Sequence, residues 1–393
     1  MSAAELVALV CCDLGSIVRG RSVPAAELSE QLARGVGWVP ANHALTPLGP
    51  LAEPNPFGST GDLRLLPDAD THVRVPSGEG GLELLLCDIV HTDGQPWECC
   101  PRTYLRDALA ELERELGARL LASFEHEFQL LGGVGAPALP FSLEAQRRSE
   151  PFAAEVMGAL AAAGVEPERF FAEFASQQYE IPVAACEGIA SADRSVLLRI
   201  VVADVARALG MRASFVPMLD PSEAGNGVHI HFTLIDERGA PLFYDAAQPG
   251  CLSELGQGFA AGILRHARAL SALTAASPVS GARLQPHHWS AGAVCLSERN
   301  REALLRIPPL LTLAGGRPDA QQRPEREQAE RFGVGAMPAD LADALEALAA
   351  DERARGWLSP LMYDAYVSLK RAELAAVAEL DLAARCRRYA DVY

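Results

Sequence analysis

Two stretches of strict two-residue alternation constrain this chain more than any other feature of it. In Ala122–Leu131 the alternation puts Phe124, His126 and Phe128 on one face of a strand and Glu125, Glu127 and Gln129 on the other. In Gly225–Leu234 it puts His229, His231 and Thr233 on one face and Val228, Ile230, Phe232 and Leu234 on a second face that we read as buried. Like charges side by side on a strand raise one another's pKa and weaken the strand unless a cation bridges them. The glutamate face is therefore either turned to water or built for a cation.

A second carboxylate pair lies in Phe171–Pro182, where Glu173 and Glu180 stand among apolar and aromatic neighbours. A buried carboxylate requires a partner, and a divalent metal can serve several at once. The turn Gly225-Asn226-Gly227 suits close approach of a ligand to backbone amides, with the imidazoles that follow free for a metal or a phosphate. Arg283, Arg299, Arg301 and Arg306 fall within 24 residues. Guanidinium forks match carboxylates and phosphates, so this cluster predicts fixed anion contacts, with surface ion pairs as the plainer alternative. Metal-binding carboxylates, a glycine-rich turn, histidines and arginines are together the parts needed to move a phosphoryl group from ATP to a carboxylate.

The rest of the chain supplies a frame for these parts. Its first hundred residues hold short strand-like runs, Leu6–Val10, Leu63–Leu66, His72–Val75 and Leu82–Val90, separated by Pro and Gly clusters. Pro101 can start a helix that carries Leu105, Leu109, Leu112 and Leu116 on one face and stops at Gly117. We place a domain boundary there, giving a β-rich domain over residues 1–100 and a larger one over 101–393. Helices are expected over Asp193–Leu209, over Gln257–Ala275 and from Pro338 onward, and an exposed connector over Arg317–Arg331. With 34 basic against 51 acidic residues the net charge is −17, which argues against nucleic-acid partners. No apolar run reaches the roughly 18–20 residues of a spanning helix, and the nine cysteines show no CxxC pair, so we expect a cytoplasmic protein with reduced thiols and no membrane contact.

In order and context the motifs resemble those of the glutamine synthetase family. Phe124-Glu-His-Glu-Phe128 resembles its E-P-E-F strand, Glu173–Glu180 its E-x-x-x-G-Q-x-E signature, Gly225–His231 its N-G-S-G-x-H-x-H loop and Arg299–Arg306 its R-N-R-x-x-x-x-R strand. The resemblance implies an α+β fold, a small N-terminal β-grasp domain followed by a large catalytic domain of antiparallel sheet and flanking helices. It implies ATP with Mg or Mn, glutamate and an amine as small-molecule substrates, and a γ-glutamyl phosphate intermediate. Carried over residue by residue, Glu127, Glu173 and Glu180 hold one metal, and Glu125 and His229 a second. His231 and Thr233 lie toward the nucleotide, Gly225, Arg283 and Arg301 hold glutamate, and Arg306 faces the phosphates, with Arg301 and Arg306 as the catalytic pair. Homo-oligomeric rings with sites shared between neighbouring subunits are implied as well.

Three departures from the family pattern shape the reading. Trp289 stands where ammonia-using members carry an acidic residue, and Phe57-Gly-Ser-Thr60 replaces a D-G-S-S latch, which points to an alkyl amine over ammonia. Gln177 replaces a glycine, and Ala224 replaces the loop asparagine. After Pro308 the family's E-x-R strand and N-P-Y helix have no counterpart, so several tens of residues look deleted, with Asp319, Glu325 or Glu327 as substitute ligands only by rearrangement. Loss of that strand raises the alternative of an impaired homologue with a regulatory or structural role.

Overall fold

The computed structural model describes residues 5–76, 78, 80–132, 138–285, 288–298, 300–308 and 335–393. The chain divides into two compact units, Met1–Gly239 with Leu358–Tyr393, and Ala240–Trp357.

The first unit contains two sheets. Its N-terminal sheet comprises β1 (Leu6–Cys12), β2 (Val18–Pro24), β3 (Val36–Trp38), β4 (Leu63–Pro67), β5 (Val73–Val75) and β6 (Leu82–His91), in the order β2-β1-β6-β4-β3 with β5 also on β6. Helix α1 (Leu28–Arg34) connects β2 to β3. The four strand-like runs expected from sequence are all present, whereas β2, with two arginines and a glycine, carries no clear alternation and β3, three residues long, is too short to show one. Among the described strands of this sheet, β1 and β6 alone pair in parallel.

Helix α2 (Pro101–Leu116) starts and stops where the sequence predicts. Pro101 occupies its first turn, the Cys100 thiol accepts from the Thr103 N–H, and Gly117 closes the helix at φ 58°, a left-handed conformation natural to glycine. Its leucine face is covered less than expected, and Leu116 stays half exposed. Arg102 ties the helix down instead. Its guanidinium donates to Asp193 (2.9 Å), Asp88 (2.9 Å) and Asp68 (2.6 Å), so both sides of residue 100 belong to one compact unit.

The second sheet is built on the 13-residue strand β7 (Arg119–Leu131). It pairs antiparallel with β9 (Gln178–Pro182), β10 (Cys186–Glu187), β11 (Arg212–Ser214) and β12 (Val228–Ile235), and β8 (Phe171–Ala172) lies on β9. Helices α3 (Leu143–Arg148), α4 (Phe152–Ala162) and α5 (Ile189–Ala208) complete this part, and α5 matches the helix expected over Asp193–Leu209. Phe128, fully buried, meets Phe152, Tyr179 and Phe215 at ring distances of 5.4–6.2 Å. One expectation fails here. Val228 and Ile230 are not buried but 49% exposed, because none of the described residues of this unit covers the first half of β12; within the strand Leu234 and Ile235, at its end, are the buried ones.

In the second unit the single helix expected over Gln257–Ala275 is two, α6 (Glu254–Arg265) and α7 (Ala267–Thr274), broken at His266, whose backbone (φ −104°, ψ 10°) leaves the helical region. Ser253 caps α6 through its hydroxyl, one turn earlier than periodicity suggested. The unit also holds α8 (Ser280–Arg283), β13 (Ala293–Ser297), β14 (Ala303–Arg306), α9 (Leu341–Ala350) and α10 (Glu352–Arg355). The connector expected over Arg317–Arg331 lies outside the described residues.

The chain then rejoins the first unit through α11 (Pro360–Ala376) and α12 (Leu382–Tyr389). There the chain's only lysine, Lys370, is 1% exposed and donates to Glu373 (2.8 Å), which also accepts from the Tyr389 hydroxyl (3.3 Å). All nine cysteines are free thiols. Among the described residues no helix is long and apolar enough to cross a membrane.

Candidate active site

Register assembles the carboxylates. Glu127 on β7 lies directly across from Glu180 on β9, and Glu125 lies across from His229 on β12. Directly opposed residues on antiparallel strands share a face with their Cβ atoms about 5 Å apart, so two ladders converge on one spot. Glu125, Glu180 and His229 each bring a ligand atom within 4.8 Å of the others. Glu127 and Glu180 are buried, so their face is not a solvated one.

Electrostatics mark the same spot. Burial, reinforced by the charges of Glu125, Glu127 and Glu173, pushes the Glu180 carboxyl up to about 8. The neighbouring imidazoles of His229 and His231 hold Glu125 well below the usual carboxylate range. His229 Nδ1 stands 3.4 Å from Glu125 Oε2. His231 Nε2 stands 3.2 Å from the same oxygen but has no partner in hydrogen-bonding geometry, so we read this contact as charge proximity. Three carboxylates raising the pKa of a fourth call for positive charge, and oxygen donors with one imidazole suit Mg or Mn. The residues present fit a divalent cation.

Glu173 follows β8, its N–H bonded to the Gln178 carbonyl (2.8 Å), and is half-buried. Thr233 lies two positions beyond His231 on the same face, its hydroxyl on the Leu234 carbonyl (3.3 Å). The Gly225 carbonyl accepts from the Gln178 side chain (3.0 Å). Gln177 has φ 57°, which explains why glycine suits that position.

Sequence reasoning gave no role to the buried amides around Glu127. Gln178 Nε2 lies within bonding distance of Glu127 Oε2 (3.2 Å) and Asn226 Oδ1 (2.9 Å), the Gly227 N–H donates to the same Glu127 oxygen (2.8 Å), and Asn226 Nδ2 donates to the Val216 carbonyl (2.9 Å). The one available signal was Gln129, on the glutamate face of the alternation, which accepts from Asn226 (3.4 Å).

The arginines belong to the second unit. Arg283 ends α8, and its carbonyl accepts from Ser290 (2.7 Å). Arg301 is exposed in the turn before β14, and Arg306 ends β14 opposite Ser297. Trp289 is 66% exposed at φ 51°. Arg299, Asp319, Glu325 and Glu327 lie outside the described residues.

An antiparallel sheet that gathers carboxylates and an imidazole on its polar face, preceded by a small β-rich sheet, defines a metal-assisted α+β enzyme class. Residues 1–97 match the glutamine synthetase N-terminal domain, and residues 98–325 and 312–389 match the glutamine synthetase catalytic domain. The chain belongs to the glutamine synthetase family. It is 30% identical to a gamma-glutamylpolyamine synthetase of Streptomyces coelicolor over 426 residues, covering 95% of this chain and 91% of that protein. It is 28% identical to a glutamate–isopropylamine ligase of a Pseudomonas species, covering 73% and 67%. A crystal structure described as a novel glutamine synthase homolog superposes with a TM-score of 0.92 at 44% identity, covering 100% of this chain and 99% of that one.

Proposed function

We propose that this chain is an ATP-dependent ligase joining the γ-carboxylate of glutamate to an amine through γ-glutamyl phosphate. The observation that carries the reading is the convergence of Glu125, Glu180 and His229 within a family whose named relatives are synthetases and ligases. Glu127, Glu173 and Glu180 would hold one Mg or Mn ion, and Glu125 and His229 a second. A cation held there neutralises phosphate charge and polarises the terminal phosphoryl group. His231 and Thr233 face the nucleotide, while Gly225, Arg283 and Arg301 orient glutamate. Arg306, with Arg301, takes up charge as the terminal P–O bond of ATP breaks and the carboxylate oxygen bonds to phosphorus. The amine then attacks the carbonyl carbon of the γ-glutamyl phosphate, phosphate leaves from that carbon, and the amine nitrogen gives up a proton.

The amine in this reading carries an alkyl tail. Trp289 offers an exposed π face, and in the first unit Phe141 and Phe174, both more than half exposed with ring centroids 6.4 Å apart, put apolar surface beside Glu173. Exposed Val228 and Ile230 on β12 favour burial against a second copy, in keeping with ring-shaped homo-oligomers that share sites. By sequence we divide the chain into a β-grasp domain over 1–100 and a catalytic domain over 101–393, in the cytoplasm.

We also hold that the chain is shortened after Pro308. The alignment to the polyamine synthetase spans 426 positions, whereas 95% of 393 residues is about 373, which leaves about 50 positions with no counterpart here. The homolog covered to 99% has almost the same length, so the compact layout is not peculiar to this chain. The impaired-homologue alternative finds no support among the named relatives. Phosphate release from MgATP and glutamate, measured over a panel of amines, tests the reading: we expect a primary alkyl amine to exceed ammonia at least about tenfold in kcat/KM. Ammonia outperforming every alkyl amine would remove the amine assignment, and no amine-dependent release would remove the ligase.

A further inference from the structure

We infer that Glu223 is a positioning residue for the substrate glutamate, its carboxylate fixing the Ala224–Gly225 peptide through a two-bond grip on Ser176. The inference rests on the reading above in which Gly225 orients glutamate. Glu223 Oε1 accepts from the Ser176 hydroxyl at 2.6 Å and Oε2 from the Ser176 N–H at 3.2 Å. One carboxylate thus joins the segment between β11 and β12 to the turn between Glu173 and Glu180.

The two partners differ in how firmly they are held. The turn is closed on itself, with the Glu173 N–H on the Gln178 carbonyl (2.8 Å), the Gln178 N–H on the Ala175 carbonyl (3.2 Å) and the Ala175 N–H on Gln178 Oε1 (2.9 Å). Gln129 anchors it to β7 by donating to the Ser176 carbonyl (3.0 Å). The segment has fewer attachments. Asp220, Pro221 and Ser222 are exposed, and among the described residues the hydrogen bonds that leave the stretch from Leu219 to Ala224 are the two that Glu223 accepts. Met218, 1% exposed, anchors the near end by packing, and Asn226, bonded to Gln178 (2.9 Å), anchors the far end. Gln178 also holds the Gly225 carbonyl (3.0 Å), which belongs to the peptide after Gly225. Glycine turns freely about its backbone bonds, so that contact leaves the preceding peptide unset. The Gly225 N–H lies in that preceding peptide and has no hydrogen-bond partner among the described residues, although Gly225 is buried. A buried N–H without a protein partner is uncommon, and it suits an anionic ligand. With Glu223 gripped on one side and the Gly225 carbonyl held on the other, the peptide between them keeps one orientation.

Calorimetric titration of glutamate, with Mn²⁺ and a non-hydrolysable ATP analogue present, tests the grip without relying on turnover. Ser176→Ala leaves the charge of the site unchanged and should weaken glutamate about fivefold to tenfold, the effect of one hydrogen bond to a carboxylate. The KM for glutamate should rise by the same factor, with kcat within about twofold. Glu223→Asp, one methylene short of both donors, should lose as much, and the double variant no more than either single one, because both remove the same contact. Ser176→Thr keeps the hydroxyl and should stay within about twofold of the wild type. Mn²⁺ affinity, titrated by electron paramagnetic resonance, should hold within about twofold in every variant, since the strand ladders that carry Glu125, Glu180 and His229 are untouched. Wild-type glutamate affinity in Ser176→Ala and Glu223→Asp, losses that multiply in the double variant, or a matching loss of Mn²⁺ affinity would overturn the inference alone. A wild type that binds no glutamate would overturn the glutamate reading and the inference with it.

Discussion

The carboxylate sheet and the arginine-bearing second unit fix their chemistry in different ways. On β7, β9 and β12 each functional side chain has a neighbour dictated by register, Glu127 by Glu180 and Glu125 by His229. In the second unit Arg283 ends a four-residue helix, Arg301 sits in a turn, and Arg306 ends a four-residue strand. A ladder converts spacing in sequence into proximity in space, whereas short helices and turns leave position to the contacts around them. The sheet should therefore bind its cation without help, and the arginines should act on turnover.

The largest effect expected is on the sheet. Glu180→Gln removes the carboxylate that three others surround, and turnover should fall by about 10²–10³ with Mn²⁺ affinity lost alongside. Equal Mn²⁺ titrations of wild type and variant would break the comparison at its stronger end. Arg306→Ala should cost less, about 10–10² in kcat, and leave Mn²⁺ affinity in the absence of nucleotide within about twofold. An arginine variant that weakened the cation as much as a sheet variant would erase the distinction.

Acidity gives a finer test. Glu180 titrates at about 8 in the fold against 4.5 when unfolded, so between those values the folded chain holds a proton the unfolded chain has lost. Without a cation, stability therefore falls as pH rises from 4.5 to 8. Because a bound cation displaces that proton, Mn²⁺ affinity should rise about tenfold per pH unit up to about 8 and level off above it. A flat profile from pH 6 to 9 would count against Glu180 as a ligand.

The smallest effect concerns stability away from the site. Burial lowers His43 to about 4 and His126 to about 3, both from 6.5. Below pH 6.5 the unfolded chain takes up protons that the folded chain refuses, so stability is complete above that value and falls as the pH drops, by about 1.4 kcal/mol per unit for each histidine. Glu180 opposes this slope in the cation-free protein, equally in wild type and variant, so calorimetry between pH 5 and pH 7 should show His43→Phe losing less Tm on acidification than the wild type. An unchanged slope would mean that His43 is not held neutral.

Much of the site was legible because period-two alternation is a direct statement about strand faces. It sorted Glu125, Glu127 and Gln129 from Phe124, His126 and Phe128 before any pairing was known, and Pro101 and Gly117 bounded α2 for equally local reasons. Alternation does not say what covers a face, and so Val228 and Ile230 were misread as buried. Nor does it show that a Gln and an Asn 48 positions apart will share a hydrogen. The break at His266 is a backbone event inside an unbroken apolar period, which is why two helices read as one.

Lys370 has a practical meaning beyond its ion pair with Glu373. With the sole lysine 1% exposed, the native fold offers amine-reactive reagents no side-chain target. Acylation at Lys370 requires the α11–α12 packing to open, so the fraction labelled over time reports the opening equilibrium of that region, or its opening rate when the reagent outpaces reclosing. The chain carries its own unfolding sensor, readable by mass spectrometry at a single residue.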